Sequence, residues 1–303
     1  MIERRLISGR PVYVKQHLLA AEDGPHEFIR TQVEREIEVL AAIASLPGIT
    51  RHLGAMKVVE SDPAKAEIVT EEVPGEPLQS VLCSRRTVTF HGTCIRALYL
   101  AGKWLRVFQT LPVSPQIRVS RPGNPGDLVA HCDLRLRKLT EVGYHWPSST
   151  SRPMILRWLR EQIESTPREQ LDEVCCHGDY GPYNMLWDGT TLTPIDFATC
   201  STDLPLADVT YLIHRIEMLP IQFPWRCWPV ALWRRACLRG YGMPSAMDLP
   251  IYHVFMVRHL LSRLKKLVES TPNGRLQRWH NAWLRGRVRS RLSETIGECQ
   301  TKC

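Results

Sequence analysis

The spacing of apolar positions changes along this chain, and the change divides it. Two short β-like runs, residues 4–7 and 11–16, flank the turn-like Ser8-Gly9-Arg10 and predict a hairpin. Over residues 27–46 the side chains of Phe28, Val33, Ile37, Leu40, Ile43 and Ala44 recur at helical spacing and stop at Pro47-Gly48, which predicts one amphipathic helix. Residues 56–60 and 66–73 follow as two strands around Ser61-Asp62-Pro63, and Pro74-Gly75-Glu76-Pro77 then breaks the pattern. The expected domain boundary lies there, with residues 1–74 on one side and 75–303 on the other. Beyond it the period is helical over 94–111, 154–164, 206–219, 229–241 and 251–268, with one short hairpin between. Residues 114–152, rich in Pro, Gly, Ser and Arg, are expected to be loop and short helix. A small β-rich part followed by a larger, mostly helical one gives the α+β class.

The hairpin is where chemistry concentrates. Met185-Leu186-Trp187 and residues 192–195 are β-like runs around Asp188-Gly189-Thr190, a strong turn signal. A hairpin centred on residue 190 sets Asn184 opposite Asp196 at its open end. Five residues before Asn184 stands Asp179, in a loop that Gly178, Gly181 and Pro182 keep irregular. Two carboxylates and an amide then converge as hard oxygen ligands suited to magnesium, with one acid left to take a proton from a hydroxyl. The plainer reading makes Asp179 and Asn184 turn and cap residues and Asp188-Gly189 a simple hairpin turn. It suits any one of these residues better than it suits all three in this order.

His177-Gly178-Asp179 with Asn184 five residues on, followed after a hairpin by Ile195-Asp196-Phe197, resembles the catalytic loop and metal-binding motif of the aminoglycoside phosphotransferase and choline kinase superfamily. Other segments agree in order. Val12-Tyr13-Val14-Lys15 resembles the strand whose lysine holds the nucleotide phosphates, and Glu36 the helix glutamate that pairs with it. The run from Ile68 to Leu78 resembles the interlobe linker, where the backbone of Glu71 and Val73 would meet adenine. Residues 101–108 resemble the long helix beneath the site, and Asp208 the aspartate that opens the next helix.

The resemblance covers roughly residues 4–220 and implies a two-lobed, protein-kinase-like fold with a nucleotide-binding N-lobe and a C-lobe holding the catalytic loop and acceptor site. By it Asp179 would deprotonate the acceptor hydroxyl, Asn184 and Asp196 would hold Mg2+ against ATP, and Lys15, set by Glu36, would steady the α- and β-phosphates. His177 and Asp208 would brace the loop. Taken alone, Lys15 reads as an exposed edge-strand lysine and Glu36 as a solvated helix residue. Only 14 residues precede Lys15, so the first hairpin of the N-lobe is expected to be missing, or the chain to start upstream. Gln109 stands where many relatives carry His.

The implied activity is ATP- and Mg2+-dependent phosphorylation of a small-molecule hydroxyl on a sugar, an amino alcohol or an aminoglycoside-like compound. The alternatives are a kinase-fold binding or regulatory protein with impaired catalysis, and a kinase of protein- or lipid-linked saccharide.

Composition refines this picture. The 303 residues are 44% hydrophobic and 23% charged, as in soluble globular proteins. The net charge of +8 invites nucleic acid as a partner, yet residues 1–257 are neutral overall and the whole excess falls in 258–303. A solvated helix face is the default reading of those bases; an anionic acceptor or membrane surface is the functional one, and nucleic acid is not the expected partner. No apolar run reaches the roughly 20 residues that span a bilayer, and charges interrupt residues 1–19, so a cytoplasmic location is expected. Ten cysteines without CxxC spacing are expected to be reduced thiols, with neither disulfide nor zinc site. Trp225, Trp228, Trp233, Tyr211, Tyr241 and Tyr252 read as core or as acceptor pocket.

Overall fold

The computed structural model describes residues 2–16, 26–84, 91–113, 125–144 and 151–300. In chain order its elements are β1 (Ile2–Ile7), β2 (Arg10–Gln16), α1 (His26–Ala44), β3 (Val58–Asp62), β4 (Glu67–Glu71), β5 (Glu76–Pro77), α2 (Leu78–Cys83) and α3 (His91–Phe108). There follow α4 (Pro125–Glu141), α5 (Ser151–Glu164), β6 (Val174–Cys176), β7 (Met185–Trp187), β8 (Leu192–Pro194) and β9 (Ser201–Asp203). The chain closes with α6 (Leu206–Glu217), α7 (Leu219–Gln222), α8 (Val230–Tyr241), α9 (Pro250–Glu269) and α10 (Arg275–Gln300). They fall into two compact units.

The first unit takes in residues 1–119, 174–202 and 232–243, so both sides of the break at residue 74 belong to it. Its four-stranded antiparallel sheet runs in the order β1-β2-β4-β3, and β2 is therefore an interior strand. Alternation assigns the faces. Val12 and Val14 pack with Val69 on one side, while Ile68 packs with Val33 of α1 on the other. Lys15, one residue out of phase with the valines and directly opposite Ile68, thus stands on the face that α1 covers. A three-stranded sheet of order β5-β7-β8 and the pair β6-β9 follow. Beside them α3 buries Ala97, Ala101, Trp104, Leu105 and Phe108. Its backbone lies against that of α8. A Cβ on Gly102 would strike the Cys237 carbonyl, and one on Gly240 would strike the Tyr99 carbonyl, so only glycine at both positions permits the approach.

The second unit, residues 120–173, 203–231 and 244–303, is helical apart from its share of β9. Helix α9 is its axis, burying Val254, Phe255, Val257, Leu260, Leu261 and Leu264 under α4, α5, α6 and α10. The expectation of loop and short helix over residues 114–152 is corrected by α4, which spans 17 residues. Leu128, Cys132, Leu136 and Leu139 form its buried stripe, and the arginines that obscured this period lie on its other faces. Residues 114–124 and 145–150 of that expectation lie outside the described residues. In α10, Leu284, Val288 and Leu292 are buried, while Leu276 and Trp279 are exposed. Among the described residues no helix is long and apolar enough to cross a membrane.

Candidate active site

Strand β6 delivers the chain into a loop whose backbone is fastened from below. Tyr180 is fully buried, stacks on Trp104 and donates its hydroxyl to the Ala101 carbonyl of α3 (2.8 Å). His177, equally buried, is held neutral because burial opposes its charge and pulls its pKa below the usual value. A neutral ring has one N–H. Its Nε2 faces the Ile195 carbonyl at 3.0 Å and must carry the proton, leaving Nδ1 to accept from the Asp179 N–H (3.4 Å). One side chain thus ties the loop after β6 to the segment after β8. Thr199 completes the tie by donating to the His177 carbonyl (3.0 Å).

Asp179 stands half-buried at the head of this loop. Asn184 donates its amide to Asp179 Oδ2 at 3.1 Å and to the Asp179 carbonyl at 3.0 Å, which turns the amide oxygen of Asn184 the other way. Tyr183 donates its hydroxyl to Oδ1. Asp179 and Asn184 therefore meet as expected, but the hairpin does not set Asn184 opposite Asp196. Met185 pairs with Pro194 and Trp187 with Leu192, so the pairing centre falls between residues 189 and 190 and Asn184 lies opposite Ile195, whose N–H it accepts at 2.9 Å. The cause is the turn. Asp188 Oδ1 accepts from the N–H groups of both Thr190 and Thr191 (2.7 Å each), closing a loop of even length.

Asp196 lies just beyond the strand, in the left-handed region (φ 66°) and half exposed. Its Oδ1 accepts from Lys15 Nζ at 2.6 Å, and the same ammonium donates to both oxygens of Glu36 at 2.8 and 2.9 Å. Glu36 is only 1% exposed and also accepts the Phe197 N–H (3.2 Å). Neither is a bystander: Lys15 sits on an interior strand, and Glu36 faces inward. Burial on its own would lower the Lys15 pKa, but Glu36 and then Asp196 outweigh it and hold it above its ordinary value.

The linker residues leave β4 in sequence. The Glu71 N–H is committed to the Lys57 carbonyl (2.9 Å). Val73 is half-buried outside the strand. Asp208 belongs to the second unit, buried in the first turn of α6. Gln109 accepts from the Tyr241 hydroxyl at 2.6 Å, a buried bond joining α3 to α8. The aromatic residues divide: Trp233, Tyr241 and Tyr252 are buried, whereas Trp225 is 74% exposed. Cys175 and Cys176 are both buried, and burial pushes the Cys175 thiol up to about 11.

Among the described residues no three His, Cys, Asp or Glu side chains group to hold a metal. The two residues expected to hold magnesium offer an amide oxygen and a carboxylate, both hard ligands of the kind magnesium takes. Sequence reasoning missed Tyr180 and Tyr183. Aromatic residues three apart inside a Gly- and Pro-bearing loop, where no helix needs them, were the available signal.

Residues 29–251 match a family model described as phosphotransferase enzyme family. No curated protein matches the sequence. Among solved structures, a choline/ethanolamine kinase family protein from Mesorhizobium loti superposes with a TM-score of 0.59 at 17% identity, covering 98% of this chain and 91% of that one. Amicoumacin kinase hAmiN, in complex with AMP-PNP, Ca2+ and Ami, gives 0.60 at 14%, covering 98% and 85%. Wild-type aminoglycoside 2'-phosphotransferase-IIIa in its GDP complex gives 0.58 at 16%, covering 98% and 89%. These likenesses show the protein-kinase-like fold.

Proposed function

Since the chain belongs to the phosphotransferase enzyme family, which makes it a phosphotransferase acting on small-molecule hydroxyls, we propose that it transfers the terminal phosphoryl group of ATP, with magnesium, to a sugar or amino alcohol. The observation that carries this is the Lys15–Glu36–Asp196 cluster. It joins three segments far apart in sequence, so no local turn or cap accounts for it.

In this reading the acceptor hydroxyl donates to Asp179, which takes its proton as the oxygen attacks the terminal phosphorus and ADP leaves with the bond that breaks. Lys15, fixed by Glu36, steadies the α- and β-phosphates. The linker carbonyl of Glu71 and the N–H of Val73 receive the adenine edge. His177 keeps the two segments in register. Asn184 and Asp196 would hold magnesium, which supplies charge neutralisation at the phosphates. The named ligands of the neighbouring structures, AMP-PNP and GDP, support nucleotide use. Several acids of the second unit are engaged or buried: Glu217 and Glu294 with Arg291, Glu269 with Lys265, and Asp208 inside α6.

Asp179→Asn is the test. ADP release should be followed with a panel of sugars and amino alcohols. The variant should lose about 10²–10⁴-fold in turnover while its thermal unfolding stays unchanged; equal turnover overturns the assignment. ATP should raise the unfolding temperature only with magnesium present, and no rise at millimolar ATP favours a binding protein instead.

A further inference from the structure

Asp179 does not stand alone. Oδ2 accepts from Asn184, and Oδ1 accepts from the phenol of Tyr183, an alcohol-type hydroxyl supplied by the chain itself. The delivery is built in. Pro182, Tyr183 and Asn184 form a single turn of 3-10 helix, closed by the Asn184 N–H on the Gly181 carbonyl (2.9 Å), and this turn folds residue 183 back over residue 181. A Cβ on Gly181 would lie 2.5 Å from Cε1 and 2.7 Å from Cζ of the Tyr183 ring, so the ring takes this place only because residue 181 has no side chain. Phenylalanine would fill the same volume. The hydroxyl serves Asp179, not the packing.

We propose that Tyr183 is a displaceable stopper of the acceptor position, its hydroxyl holding at Asp179 Oδ1 the hydrogen-bonding place that an incoming alcohol must take, and holding it against water. The proposal rests on the reading of Asp179 as the base. A small alcohol bound elsewhere by its own recognition groups displaces the tethered phenol, whereas water has no second anchor and does not. Idle hydrolysis of ATP, in which a water oxygen would attack the terminal phosphorus and lose its proton to Asp179, is thereby suppressed.

The test needs no acceptor. ADP release from ATP and magnesium in plain buffer should rise about tenfold in Tyr183→Phe, since a hydrogen bond to a charged group is lost. Gly181→Ala, which pushes the ring off its seat, should raise it too. A structural lesion lowers activity and does not produce this gain. Unchanged or slower hydrolysis in Tyr183→Phe overturns the stopper. Adding Asp179→Asn to Tyr183→Phe should return hydrolysis to the level of Asp179→Asn alone. A raised rate that survives in the double variant overturns Asp179 as the base instead, so the two failures are told apart. The bond is checked without turnover by a double-mutant cycle of Tyr183→Phe and Asp179→Ala on thermal unfolding, where strictly additive losses overturn it.

Discussion

The first unit buries charge by pairing it, and the second buries titratable groups by keeping them uncharged. In the first, Glu36 is all but inaccessible, and the Lys15 ammonium meets it with two hydrogen bonds. In the second, His214 and His259 lie under the helices with their rings 5.7 Å apart. Burial drives the pKa of His214 down to about 3, with Arg215 and Arg263 adding to it, and takes His259 well below its ordinary value. Thr210 contacts His259 Nε2 at 3.0 Å, a bond that an uncharged ring satisfies. Exceptions run both ways, among them the neutral His177 and the buried thiol of Cys175 in the first unit and the Arg258–Asp203 ion pair in the second (2.8 Å). The difference is one of purpose. The charges proposed to meet phosphate are kept paired, and the two histidines inside the helical unit are kept neutral.

Four measurements sharpen or break this contrast. The largest effect is the loss of turnover in Asp179→Asn with unchanged unfolding, because it separates chemistry from stability. Next is Asp203→Ala, which strands the Arg258 guanidinium inside the second unit and should cost about 3–5 kcal/mol in denaturant unfolding; a cost below 1 kcal/mol would deny that the pair is buried in solution. Leu136→Ala, in the buried stripe of α4, should cost about 2–4 kcal/mol.

Per pH unit, the smallest effect comes from acid. The unfolded chain takes up protons at histidine near pH 6.5, while folded His214 resists until about pH 3. Between those limits the unfolded state binds more protons, so stability falls on acidification, by at most about 1.4 kcal/mol per pH unit for each such histidine. His214→Gln should flatten the slope of unfolding free energy between pH 6.5 and 4. A slope unaltered by that change would mean the buried histidines are not what acid attacks.

Local sequence exposed the chemistry better than the packing. Asp179 and Asn184 are five residues apart in a loop, so their meeting is a matter of near neighbours and spacing revealed it. The ends of the helices from 154 to 269 were legible from period for the same reason. Helix α4 was not, because its four buried positions sit among arginines and glycines that resemble a loop until α9 is laid against them. The hairpin register slipped by one residue because the double acceptance by Asp188 set the turn length, and that lies in side-chain geometry, not in the alternation of the strands. Glu36 looked like a surface residue from its own helix. Its burial comes from Lys15, 21 positions away, and from the Phe197 amide.

The crossing of α3 and α8 bears on how the molecule is made. Helix α8 belongs to the first unit, but it is encoded after most of the second has been passed. A ribosome must therefore synthesise through residue 243 before Gly240 can settle on Tyr99 and Cys237 can receive Gly102. The nascent first unit, carrying the loop, Lys15 and Glu36, has to wait with that flank of α3 uncovered. Expression of residues 1–202 as a separate fragment should accordingly yield protein that aggregates, with that flank of α3 uncovered.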